Sequence, residues 1–587
     1  MPGATVVVNP PEPDLLHHSL ACACVMDTYE YEIVRQDGAG VIAWSGYSEY
    51  PVETYEIDGW TVLLEGYIYD VTDRRSAIGE ITTWLANGDS DRLAEWLGGR
   101  DGDFLIIAVE PSGREIWAIN DAFARLPTYL ASIGETTVLS RELSIIRRLA
   151  RELDDGLASD RMGLGQTLLF GHPLGTRTIF EDVAQLPPGS LYNASSEEIT
   201  ALYEFRTDQQ EPEVRDVSAN ARTLRDRFLE ACANRAAVAD PAIVSLSGGL
   251  DSRAVVAGFA HVDDNVRAAT SLRADDGNAE EVAVARRVAN VLDVPWGSYT
   301  ADWTDRHERL LLETAQGMNN LGMSLGLDFA EQLASDYEGA MVLTGDGGDK
   351  ALPDLEPNQR LSSDAELVDH LVETNHVFAI DQVSDLVEIS PAALRASVEQ
   401  RIAAYPETDI GAKHAHFLVR ERGINWLNHG EDRTRYYVWS TSPFYSLPFF
   451  NAAMRCPPSQ KRGSRLYRSF LAELSQEAVE IEYVDFGASI DSFEYRIKRY
   501  AYDWLSDRPR VKAHVSQFLG GGGTTANGFP TEKLLEASES VSIEQALSVD
   551  RIKQVAAEAD SYSRKQLYIL FTLTSAIGYE ERVSQAR

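Results

Sequence analysis

The sequence predicts two parts of different fold class: an α+β part with antiparallel sheet, then an α/β part with a doubly wound parallel sheet and a helical C-terminal region. Two observations predict this division. From residue 20 to 145, short apolar or alternating runs are separated by turn residues, which is typical of antiparallel strands. After residue 217, strand-length apolar runs alternate with helical ones, which is typical of a parallel sheet covered by helices.

Most elements predicted in the first part are strands. Seven runs have the length and composition of strands, and two have helical periodicity. The predicted strands are residues 20–26, 41–44, 61–64, 104–109, 115–119, 128–131 and 137–140, and the predicted helices are 75–87 and 89–97. Cys22 and Cys24 fall on the first strand, and because a second ligand pair is missing we expect buried thiols rather than a zinc site.

A polar, acidic stretch predicts a linker at residues 206–216. The expected domains are therefore residues 1–205 and 217–587. In the second domain the pattern predicts helices at 217–237 and 279–292 and strands at 266–272 and 340–344. Ligands of such a sheet bind at the carboxyl ends of its strands.

The run Ser-Leu-Ser-Gly-Gly-Leu-Asp-Ser at residues 245–252 lies between an apolar strand and a helix. Gly248 and Gly249 let the backbone bend tightly, so that several N–H groups and the positive end of the helix point at one spot. Serine hydroxyls add donors, and Asp251 can hold a divalent cation on bound phosphates. An ordinary glycine turn is the alternative. The run is not a Walker A loop, because Gly-Lys-Ser/Thr is missing.

A second glycine-rich run, Val-Leu-Thr-Gly-Asp-Gly-Gly-Asp at residues 342–349, follows another predicted strand. Its carboxylates, Asp346 and Asp349, are expected to face the first loop, so that magnesium can lie between Asp251 and Asp349. A solvated or calcium-like acidic turn is the alternative. Lys350 follows, and it either contacts phosphate or points to solvent.

These motifs resemble those of asparagine synthetases and β-lactam synthetases. Residues 247–252 are similar to the pyrophosphate loop of ATP pyrophosphatases, and residues 342–349 to the family's Leu-Ser/Thr-Gly-Glu-Gly-x-Asp-Glu. In the first part, runs at 64–70, 121–129 and 186–190 follow the order seen in class II glutamine amidotransferase domains. The resemblance implies an Ntn-hydrolase-like sandwich of antiparallel sheets, then a PP-loop synthetase domain that uses ATP and Mg2+ to adenylate a carboxylate.

The resemblance also assigns roles to individual residues. It implies catalytic roles for Asp251 and Asp346, and magnesium ligation by Asp251 and Asp349. It implies nucleotide binding by Ser245, Leu246, Ser247, Gly248, Gly249, Asp251, Ser252, Ser271, Gly345 and Asp346.

Several positions depart from the family pattern. Pro2 replaces the nucleophilic cysteine of the glutaminase, and Glu65 replaces an asparagine beside the oxyanion. We therefore expect an N-terminal domain that keeps the fold and has lost glutamine hydrolysis. Tyr483 replaces a lysine that stabilises the adenylation transition state, and Lys461 and Lys498 are the candidates to supply that charge.

Two further features of the second part have two interpretations each. Arg433 and Arg435 either clamp a carboxylate or phosphate, or form surface ion pairs with Glu431 and Asp432. The glycine run at 520–523 is either a lid or a surface insertion.

The composition is strongly acidic, with 53 basic and 91 acidic residues and a net charge of −38. Only 8 of the basic residues are lysine, which fits a halophilic protein as well as an ordinary acidic one. Nucleic acid is an unsuitable partner, because phosphates need clustered basic charge. The chain lacks a basic segment before an apolar run at its start and any apolar stretch of about 18 residues. We expect a soluble, cytoplasmic protein that does not bind membranes.

The function expected from these features is an ATP-dependent, AMP-forming ligase that joins a small carboxylate to ammonia or an amine. A homodimer is possible, since N-terminal domains of this family commonly pair. A catalytically degenerate nucleotide-binding or scaffold protein is the alternative, favoured by Pro2, Glu65 and Tyr483. A glutamine-hydrolysing asparagine synthetase requires a nucleophile that the sequence does not provide.

Overall fold

The computed structural model describes residues 2–37, 40–153, 156–208, 216–506 and 529–579. Most of the predicted linker, residues 209–215, lies outside the described residues. The glycine run at 520–523 also lies outside them.

Two six-stranded sheets form the first part. The strands are Gly3–Val8 (β1), Glu30–Gln36 (β2), Gly40–Gly46 (β3), Val52–Ile57 (β4), Trp60–Ile68 (β5), Gly102–Val109 (β6), Ile116–Asn120 (β7), Tyr129–Ile133 (β8), Thr136–Ser140 (β9), Val183–Gln185 (β10), Ser190–Asn193 (β11) and Glu198–Ala201 (β12). One sheet has the order β10-β8-β9-β1-β3-β2 and the other β12-β11-β7-β6-β5-β4. All neighbouring strands run antiparallel, so the predicted α+β class is confirmed.

Alternating side chains show how these sheets stack. Val6 of β1 and Leu105 of β6 share one core between the sheets. Val7 of β1 instead packs with helices on the outer face of the first sheet, and Phe104 of β6 packs with helices on the outer face of the second. The result is a helix–sheet–sheet–helix arrangement. Its helices are Pro13–Ala21, Arg74–Asn87, Ser90–Leu97, Leu143–Leu153 and Arg161–Phe170.

The strand predicted at residues 20–26 is wrong, because this run begins with the end of the helix Pro13–Ala21. Proline suits the first turn of a helix, and Leu16 and Leu20, one turn apart, are both buried. The expected location of Cys22 and Cys24 on a strand is therefore also wrong. Both thiols are half-buried, in the turn after the helix.

A five-stranded parallel sheet forms the centre of the second part. Its strands are Ala242–Ser245 (β13), Arg267–Arg273 (β14), Trp296–Ala301 (β15), Met341–Leu343 (β16) and Trp439–Thr441 (β17). The order is β15-β14-β13-β16-β17, and every pair is parallel, so the predicted α/β class is confirmed. Along the chain, β14 and β15 extend the sheet on one side of β13, and β16 and β17 then extend it on the other side. The crevice at the carboxyl ends of β13 and β16 is thus the expected ligand site.

The rest of the second part is mainly helical, as predicted. A short antiparallel pair, Glu482–Tyr483 (β18) and Ala488–Ser489 (β19), lies near the first loop. The helices are Val217–Ala236, Leu250–Phe259, Ala279–Val291, Asp305–Ala315, Leu325–Asp336, Gly348–Ala351, Asp364–Asn375, Ile380–Val387, Pro391–Ala403, Ile410–His416, the π-helical Phe417–Leu427, Asn428–Thr434, Leu447–Met454, Pro458–Lys461, Arg465–Leu474, Gln476–Glu480, Phe493–Ser506, Thr531–Ala537, Val541–Ala546, Val549–Ala557 and Arg564–Ile577. Among the described residues, none of these helices has the length and hydropathy needed to span a bilayer.

A cluster of buried charges joins the two parts, and we call it the interface charge cluster. Each of its side chains is at most 1% exposed, and the members are Glu65, Asp103, Arg125, Arg141, Glu431, Asp432 and Arg435.

Two arginines of the first part carry the pairing in this cluster. Arg141 pairs with Glu65 at 3.0 Å and also with Asp432, while Arg125 pairs with Glu431. The Glu431 and Asp432 side chains lie on the helix Asn428–Thr434 of the second part. A buried ion left without its partner is costly, so the cluster fixes this helix against the first part.

We expect Glu65→Gln to lower the free energy of unfolding by about 3–5 kcal/mol, because Arg141 would lose a charged partner in a dry environment. Urea denaturation followed by circular dichroism measures the change. The matched control is Glu53→Gln, which breaks an exposed pair with Arg74 and should cost less than about 1 kcal/mol. Equal losses in the two variants would contradict a structural role for the cluster.

Candidate active site

The first loop follows β13 and ends at the helix Leu250–Phe259, as the sequence predicts. Glu281 lies beside the Gly248 backbone: burial raises the pKa of its carboxyl, and the Gly248 N–H opposes that rise. The Gly249 N–H donates to Ser247 Oγ at 3.2 Å, and the hydroxyls of Ser247 and Ser252 are 2.9 Å apart. The loop amides and hydroxyls that we expect to bind phosphate thus lie next to the Glu281 carboxyl or bond to one another.

Gly248 lies where a side chain would make close contacts. A Cβ on this residue would be 3.1 Å from Cβ of Val484 and 3.3 Å from Cγ of Glu281. The Val484 N–H also lies 3.5 Å from Gly248 O. The turn between β18 and β19 therefore covers the loop from one side.

The second loop touches the first. A Cβ on Gly345 would be 2.6 Å from the backbone nitrogen of Ser252, and one on Gly348 would be 2.7 Å from Cγ of Asp251. The absence of side chains at both glycines is what allows this approach. The two loops predicted from the sequence therefore form one site.

Three carboxylates meet at this contact, those of Asp251, Asp346 and Asp349. Burial, followed by the charge of Asp349, raises the pKa of Asp251 to about 7. Burial, followed by the charge of Glu431, raises the pKa of Asp346 to about 7. The Tyr467 hydroxyl donates to Asp251 Oδ1 at 2.6 Å. Raised pKa values mean that negative charge is unfavourable here, which is the condition a cation relieves.

These three carboxylates do not by themselves form a compact group of metal ligands. Asp251, Asp346 and Asp349 do not form a group whose ligand atoms all lie within 4.8 Å of one another. Magnesium is commonly held by one or two carboxylates together with phosphates of the substrate. Oxygen ligands and a raised carboxylate pKa fit that mode of binding.

A more compact group of possible ligands lies elsewhere among the described residues. The ligand atoms of His307, Asp328 and Glu331 lie within 4.8 Å of one another. However, Arg306 Nη2 is 2.9 Å from His307 Nε2 and also pairs with Glu331. A guanidinium therefore already supplies the positive charge of this group.

The remaining predicted nucleotide-binding residues lie at the carboxyl ends of neighbouring strands. Ser245 ends β13, and Leu246 is buried with its N–H donating to Ala269 O at 2.8 Å. Ser271 lies on β14, and its buried hydroxyl has no hydrogen-bond partner among the described residues. The structure thus brings all predicted binding residues to adjoining strand ends.

Lys350, Lys461 and Lys498 each bond to an identified partner. Lys350 is 5% exposed, with Nζ 2.5 Å from Asp349, so of its two alternatives the one that points it to solvent is wrong. Lys461 Nζ donates to Ala351 O at 2.9 Å, and Lys498 Nζ donates to Phe486 O at 2.7 Å. Each of the last two bonds a backbone carbonyl rather than a loop carboxylate.

Arg433 and Arg435 have different hydrogen-bond and ion-pair partners. Arg435 is fully buried in the interface charge cluster, 3.4 Å from Glu431 and 3.9 Å from Asp432. The predicted ion pairs are therefore present for Arg435, but they are not on the surface. Arg433 instead donates from Nη1 to Asn319 Oδ1 at 2.8 Å.

The sequence analysis missed three residues at the site: Glu281 as a loop ligand, Tyr467 and His429. Tyr467 comes from the helix Arg465–Leu474, more than 200 residues after Asp251, and it has no motif of its own. Glu281 lies in the first turn of the helix Ala279–Val291 and has no motif of its own. The signal that identifies it is spatial, since it faces Gly248.

Comparison with known proteins finds one family model that matches part of the chain. Residues 223–397 match the family model described as asparagine synthase. No curated protein matches the chain by sequence. A solved structure of glutamine phosphoribosylpyrophosphate (PRPP) amidotransferase from B. subtilis, complexed with ADP and GMP, is similar at 10% identity over 70% of this chain and 94% of that chain, with a TM-score of 0.24. A structure described as the allosteric regulatory enzyme of purine biosynthesis is similar at 10% identity over 70% and 93%, with a TM-score of 0.23. Both TM-scores are too low to support a conclusion about this chain.

We expect Asp251→Asn to raise the thermal unfolding midpoint at pH 8 in metal-free buffer. The folded-state pKa of Asp251 lies above its unfolded value, so its ionised carboxylate destabilises the fold at high pH and the penalty disappears as pH falls. At pH 5 the variant and the wild type should therefore unfold at similar temperatures. Scanning calorimetry at both pH values tests this. Asp369→Asn, at an exposed pair with Arg395, is the control. A lower midpoint for Asp251→Asn at pH 8 would contradict the electrostatics of the site.

Proposed function

We propose that this protein, which is asparagine-synthase-like over residues 223–397, is an ATP-dependent ligase that adenylates a small carboxylate and transfers the acyl group to ammonia or an amine. The observation that carries the proposal is the contact between the two loops. It brings glycine amides, a helix N-terminus and three carboxylates together at the carboxyl ends of β13 and β16.

The reaction has two steps. A carboxylate oxygen of the substrate attacks the α-phosphorus of ATP, the bond to pyrophosphate breaks, and an acyl-AMP forms. The amine nitrogen then attacks the acyl carbon, AMP leaves with the electron pair of the C–O bond, and the nitrogen loses a proton. Adenylation is needed because oxide is a poor leaving group and AMP is a good one.

The loop residues have separate roles in this proposal. The amides of Gly248 and Gly249 bind the pyrophosphate portion of ATP once Glu281 is displaced. Asp251 and Asp349 would hold magnesium, which offsets the charge on the phosphates. Asp346, whose pKa is about 7, is suited to accept the proton from the amine at neutral pH.

Arg253 supplies positive charge beneath the first loop, where the family lysine is missing. Its guanidinium is buried and donates to the backbone oxygens of Ile481 and Glu482 at 2.8 Å and of Gly248 at 3.3 Å. These bonds hold the covering turn against the loop. Burial lowers the pKa of Arg253 to about 10, so it remains charged at neutral pH.

We propose that the N-terminal part does not hydrolyse glutamine. Glu65 accepts from Ala4 N at 2.9 Å and from Arg141 Nε at 3.0 Å, so its carboxylate serves to anchor β1. With Pro2 at the start, the thiol that such a reaction needs is missing. The nitrogen would therefore come from free ammonia or from an amine on the substrate.

A nucleotide-binding protein without catalysis is the second candidate. Tyr483, in place of the family lysine, favours it, because its hydroxyl donates to Asp485 and carries no positive charge. The two candidates differ in whether pyrophosphate exchanges with ATP.

We expect labelled pyrophosphate to enter ATP in the presence of Mg2+ and a suitable carboxylic acid, measured in a high-salt buffer. Asp251→Asn should lower the exchange rate by about a hundredfold, on the order of 3 kcal/mol of transition-state stabilisation. Asp369→Asn should leave the rate unchanged. ATP binding without exchange for any acid tested would support the non-catalytic candidate instead.

Incubation with glutamine should release no glutamate above the rate in buffer, because neither a thiol nor a free oxyanion site is present at Pro2 and Glu65. An enzyme-coupled glutamate assay measures this. Glutamate release that survives repurification would show that a different nucleophile acts in the N-terminal part.

A further inference from the structure

A cavity of about 170 Å3 lies between the two parts of the protein, and Asp346 forms part of its wall. We call it the interface cavity. Residues 171–173 of the first part line it, together with the helices Asn428–Thr434 and Arg564–Ile577. Because Asp346 also belongs to the second loop, the cavity adjoins the proposed site of adenylation.

His429 is a buried polar side chain at the cavity wall without a partner. It is 3% exposed, and neither ring nitrogen has a hydrogen-bond partner among the described residues. Burial lowers the pKa of His429 to about 4, so the ring is neutral and offers one donor and one acceptor. Buried polar groups in folded proteins are normally satisfied, so this side chain points to a ligand.

Arg433 contributes positive charge to the same wall. Nη1 donates to Asn319, whereas Nε has no partner, and the structure gives Arg433 no ion pair with any described residue. The carboxylate of Asp346 lies near this guanidinium, and both groups are close to Gly430: a Cβ there would be 3.9 Å from Arg433 Nη2 and 3.8 Å from Asp346 Oδ2. Burial lowers the pKa of Arg433 to about 10, which leaves it charged at neutral pH.

The rest of the wall mixes apolar and uncharged polar side chains, among them Met318, Trp426, Ile569 and Leu573 on one hand and His172, Asn320 and Asn425 on the other. An apolar cavity of about 150 Å3 is known to bind benzene, so this cavity has room for a body of about six carbon atoms. A second carboxylate on the ligand would lack a cationic partner, because Arg433 is the one lining side chain among the described residues that is positively charged at neutral pH.

We infer that the interface cavity binds the acid that is adenylated, and that this acid is a monocarboxylic acid with an apolar body of about six carbon atoms. The carboxylate lies at Arg433, on the side of Asp346, and a hydrogen-bonding substituent is satisfied by His429. The assignment of the acid as a substrate rests on the proposed function. A small dicarboxylate fits this cavity poorly, because its second carboxylate would be buried without a cationic partner.

Benzoate, benzamide and benzylamine serve as matched probes, since they share the ring and differ in charge. We expect benzoate to bind the nucleotide-free protein in isothermal titration at least about tenfold more tightly than the other two, because only the anion pairs with Arg433. Arg433→Met should remove this preference, and Arg468→Met, at an exposed pair with Asp491, should retain it. Tighter binding of benzylamine, or binding unaffected by Arg433→Met, would overturn the inference.

Met318→Phe provides a second test that leaves Arg433 in place. The larger ring fills the cavity, so benzoate affinity should fall at least about tenfold while circular dichroism remains that of the wild type. Unchanged affinity in this variant would place benzoate elsewhere and overturn the inference.

Pyrophosphate exchange distinguishes the failure of this inference from failure of the proposed function. Exchange driven by aspartate but not by benzoate or its ring-substituted relatives would overturn the inference and leave the ligase function intact. Benzoate binding that depends on Arg433, without exchange for any acid, would overturn the ligase function and leave the carboxylate site in place.

Discussion

The buried pairing of Arg125 and Arg141 with Glu431 and Asp432 is the interaction on which the candidate site depends. It fixes the helix Asn428–Thr434, and Thr344 at the start of the second loop donates to Glu431 at 2.6 Å. The same carboxylate thus connects the first part of the chain to the loop that carries Asp346. Breaking such a pair leaves an uncompensated buried charge, so the geometry of the site and the stability of the interface are linked. Arginines of the first part thus fix the position of a helix that contacts the second loop.

The polar groups of the first loop contact other groups of the protein. Glu281 gives Gly248 an anionic partner, and the hydroxyls of Ser247 and Ser252 satisfy each other. Asp251 accepts from Tyr467 and Asp349 pairs with Lys350, yet the raised pKa values of Asp251 and Asp346 show that negative charge remains unfavourable at this contact. Sites that bind charged ligands commonly retain such unfavourable electrostatics, because the ligand and its cation remove the penalty on binding.

Local patterns predicted the fold class and the two loops, because glycine turns at strand ends are encoded by adjacent residues. The sequence could not show the strands β15 and β17, since Trp296–Ala301 is only partly apolar and Trp439–Thr441 has three residues. It also placed a strand at residues 20–26, where the end of a helix produced the apolar run. Tyr467, His429 and Glu281 reach the site through the tertiary fold. The role of Glu65 was also hidden, because its partner Arg141 is 76 residues away.

The central claim is that the amides at Gly248 and Gly249 bind the phosphates of ATP after Glu281 is displaced. Titration of Mg-ATP into the wild type and into Glu281→Gln, followed by calorimetry, tests it most directly. The account predicts saturable binding to both proteins and tighter binding to Glu281→Gln, because the competing negative charge at the loop is removed. Absence of binding to both proteins, or weaker binding to the variant, would contradict it.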